Sequence, residues 1–162
     1  MRKVFLASVS RSKTRKWAVV LKDEREGVAI AVPLRASEAE AIATGLALED
    51  PEPPHIHDLF LETLDAIGAE LVKVILFDVT PKGQFKARIE LEAGEQTLVL
   101  PASASDAIAL AVRTEADIYV TPQVLARAGQ PVKIKDTEDA SRFQELLGDL
   151  AYQEEDAAGE NE

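Results

Sequence analysis

Residues 70–79 read ELVKVILFDV, and the fold turns on how that run is understood. Val72, Val74 and Leu76 alternate with Lys73, Ile75 and Phe77, so both faces of an extended segment carry apolar side chains, the pattern of a central strand. Downstream, Pro81-Lys82-Gly83 turns the chain into 84–91 (QFKARIEL), and Ala93-Gly94-Glu95 turns it into 96–100 (QTLVL), giving two hairpin-linked strands. Upstream, 3–9 (KVFLASV) and 16–21 (KWAVVL) flank a polar loop, and 28–32 (VAIAV) ends at Pro33. Three short strands in succession predict an antiparallel meander.

Helical spacing separates these strand groups. Ser37 with Glu40 three residues on has the spacing of a capping box, and Ala39, Ile42, Ala43, Leu46 and Ala47 then recur at three- and four-residue steps. A second helix is expected from about His57 to Ile67, closed by Gly68, and a third over 104–114. A short strand at 117–120 precedes PQVLARAG, with Pro122 at the first helical position. Residues 138–150 have an amphipathic pattern with Ala140, Phe143, Leu146, Leu147 and Leu150 on one side. The expected class is α+β (mixed α/β): a single domain over residues 1–150, with a mainly antiparallel or mixed sheet packed with four to five helices. Residues 151–162 are too acidic and too poor in apolar side chains to join the core, which predicts a disordered tail.

Composition bounds the function. The 162 residues include no cysteine, which excludes disulfides and thiolate metal sites, and no run approaches a membrane span. Cytoplasmic residence is the expectation. The net charge of −11 argues against a long passive nucleic-acid groove. It is unevenly spread, however: residues 1–25 hold eight bases against Asp23 and Glu24, a local net of +6 that leaves −17 for the remainder. Such a cluster, with Arg11 and Arg15 in it, either steers a phosphate backbone or blunts exposed strand edges.

No glycine-rich phosphate loop, nucleophile elbow or Cys/His metal spacing is present. What remains is two helix starts. His55 and His57 are two apart, so both imidazoles of an extended segment point one way, toward a shared ion completed by Asp58, Glu52 or Glu38. Alternatively His57 or Asp58 caps its helix. Ser103, Ser105 and Asp106 pose the same choice: a cap, or a phosphate cradle in which a divalent ion reconciles Asp106 with the anion. Arg35 and Arg113 are candidate phosphate contacts through their planar guanidinium groups, with a helix-dipole role as the alternative for Arg113.

Residues 101–120, PASASDAIALAVRTEADIYV, resemble the signature of the bifunctional nuclease family through Ser105-Asp106-Ala107-Ile108-Ala109-Leu110-Ala111 and the aromatic strand that follows. In the same order, 38–43 (EAEAIA) resembles that family's first helix, 57–59 (HDL) its His-Asp-Leu element, and SRFQELL its closing helix. The pattern departs at Ser103 and Ala104, where the family carries arginine and proline, and at Ile56, where it favours threonine. The resemblance implies a mixed α/β fold, homo-oligomers, and metal-assisted hydrolysis of phosphodiester bonds in RNA and DNA with little sequence preference. It implies catalytic roles for His57, Asp58, Ser105 and Asp106, with His57 as general acid or base. Glu38, Asp58 and Asp106 would hold Mg²⁺ or Mn²⁺. Arg35, Arg113, Arg11 and Arg15 are the nucleic-acid contacts it leaves available. The competing function is a non-catalytic oligomeric interaction or regulatory domain on the same fold, in which the helix starts are only caps.

Overall fold

The structure is a computed structural model, which describes residues 1–23, 25, 27–47 and 52–131. In chain order the elements are β1 (Arg2–Arg11), β2 (Trp17–Lys22), β3 (Val28–Leu34), α1 (Ala36–Leu46), α2 (Ile56–Ala66), β4 (Ala69–Val79), β5 (Phe85–Ala93), β6 (Gln96–Ser103), α3 (Ala104–Thr114), β7 (Asp117–Val120), α4 (Pro122–Ala128) and β8 (Gln130–Pro131). The strands form one eight-stranded sheet in the order β6-β5-β4-β7-β1-β2-β3-β8. Every pairing is antiparallel except β4 with β7. The sheet is therefore mixed, and the described residues hold four helices, the lower end of the expected range.

β4 lies between β5 and β7 and is the interior strand its alternation called for, with Val74, Ile75 and Leu76 fully buried. The side chains that β1, β2, β3, β4 and β5 direct inward (Val4, Val19, Leu21, Ile30, Val32, Val74, Leu76, Ile89) form one core with Ile42 of α1 and Ile108 of α3. α3 is buried along nearly its whole length, from Ala104 to Ala111 apart from Asp106. Its run of alanines leaves little side chain between its backbone and its neighbours, so helices and sheet approach closely.

Local details differ from the sequence reading. β3 runs through Pro33 to Leu34, with Pro33 opposite Ala18 of β2. β8 pairs only with Val28 and Ala29, so among the described residues no strand asks for a hydrogen bond from the far side of Pro33. α1 starts earlier than Ser37: Arg35 is the N-cap, and its backbone N–H donates to Glu38 Oε2 at 2.7 Å, so Glu38 is the first-turn acid rather than Glu40. α2 likewise starts at Ile56 with His55 as N-cap, and the His55 N–H donates to Asp58 Oδ2 at 3.1 Å. Neither His57 nor Asp58 is itself the cap residue. β8 is too short to leave a periodic signal and was not anticipated. The helix expected at 138–150 and the acidic tail at 151–162 lie outside the described residues.

Candidate active site

Three helices begin in one place. The starts of α1, α2 and α3 line a pocket of about 500 Å³ whose walls include Arg35, Glu38, His55, His57, Ser105 and Asp106. Each start is built by local chemistry. Arg35 and His55 adopt extended backbone, and an acid three residues on, Glu38 or Asp58, accepts the N–H of the cap residue. At α3 the arrangement is reciprocal: the Asp106 N–H donates to Ser103 Oγ at 3.1 Å, while Ser103 Oγ–H donates back to Asp106 Oδ2 at 2.7 Å.

The decisive contact joins two of these starts. His57 Nε2 lies 2.9 Å from Asp106 Oδ1, across 49 residues of sequence. The imidazole is largely buried and the carboxylate is mostly exposed. His57 Nδ1 is buried and has no hydrogen-bond partner among the described residues, so Nε2 is the nitrogen through which this ring meets the pocket. Partial burial pushes the Asp106 carboxyl upward. The Ser103 hydroxyl, the His57 hydrogen bond, and attraction from His57 and Arg35 outweigh it and hold Asp106 below the ordinary value of 3.8. The sign follows from linkage. A depressed folded-state pKa contributes stability at pH values above the unfolded one, lost as pH falls through the folded one. The stability difference between wild type and Asp106→Asn is therefore expected to hold steady down to about pH 4–5 and to shrink below that, checked by urea unfolding at several pH values.

The sequence candidates divide. Arg35, Glu38, His57, Ser105 and Asp106 come together in the pocket, whereas Asp58 and Arg113 face one another behind it. Arg113 Nε donates to Asp58 Oδ1 at 2.9 Å, and Asp58 Oδ2 is held by the His55 N–H. Both Asp58 oxygens are thus engaged, and Arg113, with a nearly buried side chain, is no surface contact for phosphate. Arg11 pairs across the hairpin with Trp17, its guanidinium 5.7 Å from the indole, and Trp17 pairs with Leu34, the residue before Arg35. Arg15 has φ 64° in the hairpin loop and does not line the pocket. Among the described residues no three His, Asp or Glu side chains converge as a closed metal site. Sequence reasoning missed the Asp58–Arg113 pairing, which spans 55 residues and has no local signature.

Comparison with known proteins agrees with this chain's resemblance. Two proteins of Mycobacterium tuberculosis, named Uncharacterized protein Rv1829 and Uncharacterized protein MT1877, are each 31% identical over 112 residues, which cover 68% of this chain and 66% of theirs. The sequence profile of the bifunctional nuclease domain matches residues 19–133, a span that runs from β2 to the residues just after β8 and contains all three helix starts. The chain belongs to the bifunctional nuclease domain family.

Proposed function

We propose that this protein is a nuclease that hydrolyses phosphodiester bonds of RNA and DNA with little sequence preference, and that the three-helix pocket is its active site. The observation that carries the reading is the 2.9 Å contact of His57 with Asp106 inside a pocket shared with Arg35. Arg35 is highly exposed at the rim and suits phosphoryl oxygens. The Ser103 and Ser105 hydroxyls lie 3.3 Å apart beside the α3 start, where backbone N–H groups favour an anion. Asp106, kept ionised, accepts the His57 Nε2–H and orients the attacking water; as the water oxygen bonds to phosphorus and the P–O bond to the leaving oxygen breaks, the water's proton passes by way of the Asp106 carboxylate to that leaving oxygen. The absence of cysteine fits the cytoplasm.

A metal was expected on Glu38, Asp58 and Asp106. Asp58 does not fit, because an arginine and a backbone N–H occupy both its oxygens. Glu38 lines the pocket with Asp106 but is also held at both oxygens, Oε2 by the Arg35 N–H and Oε1 by the exposed Arg35 guanidinium, so Mg²⁺ or Mn²⁺ would reach it only with that guanidinium drawn away, as by substrate phosphate. Such an ion, when bound, would neutralise charge that develops on the phosphoryl group.

One observation favours the second reading, a non-catalytic oligomeric interaction or regulatory domain: Asp58, Glu38 and Ser103 all serve as helix-start hydrogen-bond partners. β6 supports homo-oligomers in either case, as an edge strand with Leu98, Val99 and Leu100 exposed and no charged residue. The test is cleavage of single-stranded RNA and DNA by pure protein with Mg²⁺, Mn²⁺ or EDTA, beside an Asp106→Asn control. Cleavage by wild type alone supports the nuclease; equal trace cleavage by both favours the second reading.

A further inference from the structure

Asp58 and Arg113 have no part in the pocket, yet each is tied to it through its own helix. α2 carries His57 and Asp58 at adjacent positions, and α3 carries Asp106 in its first turn and Arg113 in its last. The two helices therefore meet twice: at the pocket through His57 and Asp106, and behind it through Asp58 and Arg113. Two contacts between two rods fix both their separation and their relative slide, which a single contact leaves adjustable.

The rear contact is the more enclosed. The Arg113 side chain is 6% exposed, against 59% for Asp106 at the front. Its guanidinium is also anchored to its own helix, since Nη1 donates to the Ala109 carbonyl at 2.8 Å. α1 makes room for it with Gly45: a Cβ there would fall 2.8 Å from Arg113 Nη1 and 2.7 Å from Val112 Cγ2. The third helix is thereby fitted around the same guanidinium. Arg113 Nη2 is buried with no hydrogen-bond partner among the described residues. An orphaned guanidinium nitrogen is a cost to folding, so bare stability is a poor account of why an arginine stands here.

We propose that Arg113, Asp58 and Gly45 form a largely enclosed clamp that sets the register of α2 on α3 and so holds His57 against Asp106; Arg113 and Asp58 are positioning residues, not phosphate or metal ligands. The role in catalysis rests on the nuclease reading, whereas the geometric claim does not. A guanidinium is required because it must bond Asp58 and the Ala109 carbonyl at once from a rigid fork, which a lysine ammonium on a flexible stem does not reproduce.

The experiment uses the full chain with Arg113→Lys, Arg113→Met and the paired Asp58→Leu/Arg113→Met, the last removing both charges so that neither is left buried alone. Folding is followed by circular dichroism, and the His57 ring nitrogens by NMR at one fixed pH. The clamp predicts that folded Arg113→Lys and the paired variant lose the wild-type His57 Nε2 signature. If wild type cleaves nucleic acid, it also predicts at least a tenfold fall in kcat with KM changed less than threefold. A folded paired variant with a wild-type His57 signature would overturn the clamp. A lost signature in a protein whose wild type cleaves nothing keeps the clamp and removes the nuclease reading instead.

Discussion

Asp106→Asn is expected to lower kcat on single-stranded RNA and DNA by roughly 10²-fold or more while leaving KM nearly unchanged. Asparagine keeps the size of the side chain and an oxygen that can accept from Ser103, so α3 should start as before. It loses the negative charge that His57, Ser103 and Arg35 jointly favour. A neutral amide neither orients water as a carboxylate does nor accepts its proton. The pocket's phosphate contacts, Arg35 and the serine hydroxyls, are untouched, so substrate binding should survive. Initial rates on end-labelled oligonucleotides, with thermal melts to show that the variant is folded, check this. A rate within twofold of wild type would remove Asp106 from the chemistry.

The largest loss of stability is expected from Ile108→Ala. Ile108 is 0% exposed and sits one turn beyond the site on α3, in the core shared by Ile42, Val74 and Val120. Removing its three outer carbons costs the transfer free energy of those atoms and leaves a cavity that a close-packed layer of alanines and β-branched residues refills poorly, about 2–5 kcal/mol in sum. The urea midpoint should fall with an unchanged slope, since the surface exposed on unfolding is nearly the same. Because Ser105 and Asp106 ride on this helix, the comparison is informative in a second way. Under folding conditions the variant should still cleave at a rate near that of wild type, which separates holding the helix in place from doing its chemistry.

Much of this architecture was legible in local pattern. β4 shows its interior position in its two apolar faces, and α3 was bounded correctly because Ser103 is a good cap and Ala107, Ile108, Leu110 and Ala111 follow helical spacing. The starts of α1 and α2 were displaced because arginine and histidine are poor cap residues; what defines those ends is the acid three residues later reaching back to a backbone N–H. The site was legible as a set of residues but not as a division of labour. Asp58 next to His57 looks like a ligand when only sequence neighbours are considered. Its partner Arg113 is 55 residues away, and the pairing depends on a helix packing that Gly45 permits. Long-range packing leaves no periodic trace, so no reading of spacing would have joined them.

The parallel pairing of β4 with β7, alone among the described strands, bears on how the chain is assembled during synthesis. β1 to β3 and β4 to β6 are each runs of sequence neighbours in antiparallel pairing, whereas β7 is made later and lies between β4 and β1. Until residues 117–120 leave the ribosome, the two three-stranded halves have no seam between them, and each presents an open, unpaired border. Four residues thus decide when the halves become one sheet. Chains arrested before that point should be sensitive to protease and prone to association, and chains arrested well past it should be neither.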